Sequence, residues 1–353
     1  MKIECRLRKL LRDHQLDRRG VLNEIAEYAE THRHTVSNLY TGSAVSINLK
    51  VLGRISEWLV DKGVPVEILP GALVGPGAMW DRIGLARRAL VYMGEYVPGG
   101  PRKLARSMIS RHDAEVASNI VKAMASRGHL REVEMSYVPF QYVSETSQVI
   151  RDEDKDLAKS TFERMRSREL AQTAVFLIGS QKANLITEQL VASCFGAKPF
   201  TPPTRDFKLP FFVLYRKDDM ATSSCFGGRS LPKAIALPAL PGVYYQKTPG
   251  NWEGIAYDDE TQQDAAIVVV TNEPNRNALE VALIGFSSIS TANVGDYFLK
   301  NADDFWPPTA QREDRQIGVY ICKFHRDPKQ PDSNRPACEV TPIPADVLQS
   351  VDE

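Results

Sequence analysis

The residues with the most chemical content lie close together near the start of the chain. His32, Arg33 and His34 form a short basic run, and Ser37 and Asn38 follow one helical turn later. Arg can pair bidentately with guanine O6/N7 and Asn with adenine N6/N7. Arg18, Arg19, Thr41, Ser43 and Lys50 flank the run with further cations and hydroxyls. The plainer alternative is a solvated helix face on a protein-docking module.

A second set of candidates lies in the later part of the chain. In VFLIGSQKANLITE (175–188) an apolar strand runs into Gly179-Ser180 and then a helix holding Asn184 and Thr187. In VALIGFSSISTANVG (281–295) a similar strand runs into Gly285, Ser287 and Ser288, then Thr291. Free N–H groups at a helix N-terminus attract phosphates and carboxylates, and open α/β sheets bind ligands at the carboxyl ends of their strands. Both turns therefore qualify for a small anionic or nucleotide-like effector. Gly and Ser equally suit any tight strand-to-helix turn, so a purely structural reading stands beside this one. Neither turn is a phosphate loop of the form GxxxxGK[ST], and neither is GxGxxG.

Other chemistry is thin. The cysteines (Cys5, Cys194, Cys225, Cys322, Cys338) are dispersed, odd in number and form no CxxC pair. That argues against a disulfide framework or a zinc ribbon and for a reduced, cytoplasmic setting. The six histidines make no HExxH, and no GxSxG nucleophile elbow occurs. FGGRS (226–230) could cradle an anion beside Cys225 but reads more simply as a loop. His112-Asp113 reads as a helix start with Asp113 as a possible cap, and the mixed-charge run 151–170 as a solvated helix face. No catalytic set, metal set or cofactor is legible.

The elements that must position these residues follow from periodicity. Ile3, Leu7, Leu10 and Leu11 share a face and predict a helix over 2–14. Asp17 is placed to cap a second helix running to Tyr28. A third helix is expected over 32–40, and a fourth from Asn48 with Leu49, Leu52, Ile55 and Leu59 at helical spacing. The sequence here resembles the lambda-repressor-like (Cro/CI, XRE) helix-turn-helix family. The resemblance rests on Ile25-Ala26, Arg33, Thr35-Val36-Ser37, Leu39 and Gly42, and it covers the first 60–70 residues. It implies that the third helix enters the major groove of double-stranded DNA with His32, Arg33, His34, Ser37 and Asn38 toward the bases, that Arg18, Arg19, Thr41, Ser43 and Lys50 are placed to touch phosphates, and that the protein binds as a homodimer. Where the family's turn usually has Gly, this chain has Glu30.

After GVPVEILPGALVGPGA (63–78) the pattern changes. Apolar, β-branched runs recur at 89–97, 132–138, 173–179, 209–215, 265–270, 279–286 and 317–322, with helical patterns at 112–126, 154–169, 183–195 and 290–301. Continuous apolar strands alternating with helices predict an α/β domain with a mainly parallel sheet. The stretch 216–263 reads as loop-rich, and the tail from Asp327, with five prolines, as irregular. The expected organisation is a helix-turn-helix domain at 1–70, a connection at 71–88, an α/β sensor or dimerisation domain at 89–330 and a tail at 331–353.

Length and charge complete the picture. The chain has 353 residues, enough for two or three domains. Lys+Arg and Asp+Glu are equal at 44 each, but the first 62 residues hold 11 basic against 8 acidic side chains. The excess of positive charge thus falls on the small N-terminal segment. No apolar run approaches the ~20 residues of a membrane span. The expectation is a sequence-specific DNA-binding regulator whose α/β domain senses a ligand and dimerises. The alternative is an enzyme acting on a nucleotide or sugar derivative and targeted by a fused helix-turn-helix.

Overall fold

The structure is a computed structural model. It describes residues 3–5, 7–44, 48–64, 74–76, 79–98, 107–127, 132–143, 150–200, 209–215, 240–308, 310–312, 315–325 and 336–349.

An N-terminal helical bundle comes first. It comprises α1 (Leu7–Asp13), α2 (Val21–Tyr28), α3 (Arg33–Thr41) and α4 (Leu49–Asp61). Its core is drawn from the periodic positions: Leu7, Leu10 and Leu11 of α1, Ile25 and Ala26 of α2, Val36 and Leu39 of α3, Ile55 and Leu59 of α4. Two local expectations need revision. Ile3 is not helical, because Ile3–Cys5 (β1) pairs antiparallel with Val74–Pro76 (β2). Asp17 does not cap α2, which begins four residues later behind a left-handed Gly20 (φ 92°). The Asp17 carboxylate instead accepts the Tyr40 hydroxyl at 3.1 Å. The fourth helix starts where expected, and Asn48 caps it, its Oδ1 accepting the Lys50 N–H at 2.8 Å. The turn between α2 and α3 places Glu30 at φ 50°. That conformation costs a non-glycine residue roughly 1 kcal/mol.

The larger α/β domain is built on one sheet. Among the described residues its order is β11-β12-β9-β10-β5-β3-β4, with β13 also on β12. The strands are β3 (Arg88–Tyr96), β4 (Glu132–Phe140), β5 (Thr173–Ile178), β9 (Asp264–Glu273), β10 (Ala278–Gly285), β11 (Ala310–Arg312), β12 (Arg315–His325) and β13 (Ala337–Pro342). The parallel character expected from continuous apolar runs is present in the half made by β4, β3, β5 and β10. The other half, from β10 through β9 to β12 and its edge partners, is antiparallel, so the sheet is mixed. Strands β5, β9 and β10 are buried at every position, which is why their sequences are apolar without alternation.

The sheet separates two cores. One face carries α5 (Met79–Gly84), α6 (Arg111–Ser126) and α9 (Ser288–Asn301), with Met79, Ile83, Val116, Ile120, Val294 and Phe298 packed on odd-numbered residues of β3. The other face carries α7 (Asp152–Arg164) and α8 (Leu185–Cys194). Two regions expected to be irregular hold regular structure. Within 216–263, β7 (Gly242–Thr248) and β8 (Asn251–Ala256) join β6 (Phe211–Leu214) in a three-stranded antiparallel sheet. Phe212 stacks on Tyr244 there, with ring centroids 5.0 Å apart. In the tail, β13 pairs with β12, and α10 (Ala345–Gln349) buries Val347 and Leu348. The run 151–170 is exposed over most of α7, but two of its charges are not solvated. Asp154 accepts the Gln141 N–H at 2.7 Å, and Arg166, in a π-helical turn, pairs with the buried Glu280 at 2.9 Å.

Candidate nucleic-acid interface

Helix α3 is fixed from beneath by Val36 and Leu39, both fully buried. That anchoring turns His32, Arg33 and His34 to the outside, where all three are exposed, with Ser37 and Asn38 half-buried one turn along. The three basic residues thus crowd the N-terminal end of the helix, as the sequence implies. The second turn is more committed than the sequence suggests. The Asn38 amide contacts His34 Nδ1 at 3.3 Å, and its Oδ1 accepts the Ser43 hydroxyl at 3.4 Å. Thr41 Oγ1 donates to the Ser37 carbonyl at 2.9 Å and lies 2.8 Å from Ser43 Oγ. Ser37, Asn38, Thr41 and Ser43 therefore form one polar cluster closing the end of α3, next to the left-handed Gly42.

A concavity joins α3 to the start of α2. It is lined by Asp17, Arg18, Arg19, Asn23, Arg33 and Tyr40, with the Gly20–Leu22 backbone between them. No side chain caps α2, so its positive end faces this space with Arg19 and Arg33. Neither Arg19 nor Arg33 forms an ion pair among the described residues. Arg18 differs: Glu24 holds it at 2.5 Å. Glu24 also receives Lys62 at 2.8 Å, and the Lys62 hydrogen bond keeps its carboxyl below the ordinary carboxylate range. Lys50 is exposed at the first turn of α4, with no contact to α3 among the described residues. Of the ten residues proposed for DNA, the structure brings Arg18, Arg19 and Arg33 to one concavity, with His32 and His34 exposed on either side of Arg33 in the chain. It places Ser37, Asn38, Thr41 and Ser43 in the adjoining cluster. The concavity itself was not legible in sequence, because it depends on the Gly20 conformation and on the Tyr40–Asp17 bond across 23 residues.

The two turns of the α/β domain lie side by side. Strands β5 and β10 are parallel neighbours, and the Gly179 N–H donates to the Leu283 carbonyl at 3.1 Å. Both turns thus stand at the carboxyl end of the parallel half. Their polar groups, however, are engaged internally. Asn184 caps α8 through the Ile186 N–H at 3.2 Å and donates to the carbonyls of Tyr92 at 2.9 Å and Ile178 at 3.1 Å. The Ser180 carbonyl accepts from Ala183 and Asn184. Ser287 and Ser290 form a capping box on α9, the Ser287 hydroxyl donates to Asp264, and Thr291 Oγ1 donates to the Ser287 carbonyl at 3.1 Å. Gly285 packs so tightly on Thr291 that an added Cβ would lie 2.3 Å from its nitrogen. Ser288 is exposed, and Thr187 is fully buried with an unbonded hydroxyl. These bonds use the groups an anion would need, so most of this turn chemistry is structural.

Two buried carboxyls, Asp113 and Asp264, lie against these turns. Ser110, not Asp113, is the N-cap of α6. Asp113 is 4% exposed and pushed up to about 6 by burial, with Gly179 (φ 104°) directly beside its Oδ2. Burial likewise raises Asp264. The ring of Phe286 stacks on Tyr215, centroids 5.4 Å apart, and packs against Tyr257 at 5.2 Å. FGGRS (226–230) and Cys225 lie outside the described residues. Among the described residues no helix is long and apolar enough to cross a membrane. Comparison with protein-family models, curated proteins and solved structures finds no match.

Proposed function

We propose that the N-terminal bundle docks on double-stranded DNA and that the protein is a sequence-specific transcriptional regulator. The observation that supports this is one surface. Arg33, in the exposed basic end of α3, shares a concavity with the uncapped start of α2 and with Arg19. In this reading α3 lies in the major groove and Arg33 forks onto a guanine. A backbone phosphate sits against the start of α2, held by its dipole and Arg19. Asn38 can reach an adenine only by giving up its bonds to His34 and Ser43, so its contribution is smaller than that of Arg33. Arg18 contributes little while Glu24 neutralises it.

The test is equilibrium binding of the full chain to its selected DNA site across a salt series. Arg33→Ala is expected to cost about 1–3 kcal/mol and to relax preference at one base pair. Arg19→Ala is expected to weaken binding uniformly across sequences and to lower the salt slope by about one. Unchanged affinity in both variants would remove α3 and the α2 terminus from the interface.

A further inference from the structure

Strand β4 is an open edge of the large sheet. It pairs with β3 on one side and, among the described residues, with nothing on the other. Backbone hydrogen bonds show which of its groups point outward. The Phe140 carbonyl accepts from Val97 on the β3 side at 2.9 Å. The Gln141 carbonyl, one residue on, accepts from Arg151, away from β3, at 3.1 Å. Successive residues of a strand alternate sides, so the N–H and C=O groups of Val133, Met135 and Tyr137 face outward. The same three side chains are exposed, at 36%, 40% and 46%, and form an apolar row on one face. Native proteins blunt such edges with lysine, proline or short length. Here nine residues run with no lysine, and the only proline is Pro139.

We propose that this edge pairs with β4 of a second copy of the chain, antiparallel about a two-fold axis at Met135. That register is the one the strand's own chemistry favours. Centred on Met135, each Met135 exchanges both backbone bonds with its counterpart, and Val133 does the same with Tyr137. All three outward N–H groups are then satisfied. Val133 packs beside Tyr137 on one face, and Glu134 falls opposite Ser136 on the other. Centring on Val133 would set Glu132 against Glu134, a like-charge pair. Centring on Tyr137 would set Met135 against Pro139, which has no N–H to donate. The occupant is therefore a self-complementary strand rather than an arbitrary peptide. The sheet continues across the axis, and the interface is isologous.

The test is sedimentation equilibrium of the full chain from low to high micromolar concentration. The wild type is expected to be dimeric. Met135→Lys places two ammonium groups at the axis and is expected to weaken the dimer by about tenfold or more. Ser136→Lys faces Glu134 of the other copy and is expected to keep or tighten it. Far-UV circular dichroism checks that both variants fold. A monomeric wild type would overturn the proposal. So would a dimer indifferent to Met135→Lys, or one weakened equally by Ser136→Lys, which would indicate another partner strand or surface.

Discussion

Two buried or strained side chains carry measurable consequences apart from any ligand. Glu30 occupies a left-handed conformation and gains only an exposed ion pair with Arg54 at 3.3 Å. Such pairs are worth little, so Glu30→Gly is expected to stabilise the bundle by about 0.5–1 kcal/mol. Slower amide hydrogen exchange across α2 and α3 is the readout, and faster exchange would mean that the Arg54 contact outweighs the backbone strain. Asp113 has a pH signature. Burial raises its carboxyl in the folded protein to about 6, whereas the unfolded chain titrates near its ordinary value. Well below that ordinary value both states are protonated and no penalty exists. As pH rises toward 6 the unfolded state ionises first and stability falls, by up to about 3 kcal/mol at neutrality. Asp113→Asn is expected to remove this component. Its stability relative to wild type should rise between roughly pH 4 and 7, as first the unfolded and then the folded carboxyl ionises, measured by denaturant midpoints. A constant difference would refute the burial argument.

Elements were legible where burial dictates composition. Strands β5, β9 and β10 are covered on both faces, so their unbroken apolar runs announced them. Helices α6, α8 and α9 appeared between such runs for the same reason. Strands β7, β8 and β13 did not announce themselves, since they are short, partly exposed and set among glycines and prolines that signal turns. The antiparallel half was equally hidden, because a fully buried antiparallel strand such as β9 has the same composition as a parallel one. Of the candidate site, the basic run on α3 could be read from spacing and the buried Val36 and Leu39. The internal use of Asn184, Ser287 and Asn38 could not, because it depends on which backbone groups their amides and hydroxyls meet. One close approach tests the packing of β3 on the α8 turn. A Cβ at Gly94 would lie 1.6 Å from the Ala183 carbonyl oxygen, which is backbone and cannot yield cheaply. Gly94→Ala is expected to cost about 3 kcal/mol or more, seen as a lowered Tm, and an unchanged Tm would show that the turn can shift.

At the scale of the molecule, charge and symmetry link the two parts. The overall balance of 44 basic and 44 acidic residues conceals the positive excess of the N-terminal segment. That segment contains the α2–α3 concavity with Arg19 and Arg33, neither in an ion pair among the described residues. A two-fold pairing through β4 would present two such bundles to one duplex. DNA sites for a symmetric dimer are expected to carry two inverted half-sites. The most direct measurement is selection by the full chain from a pool of genomic fragments at near-physiological salt, beside Arg33→Ala. The account predicts enrichment of a limited set of fragments sharing an inverted repeat, lost in the variant. No enrichment, or enrichment that Arg33→Ala retains unchanged, would contradict the assignment of α3 as the element that reads DNA.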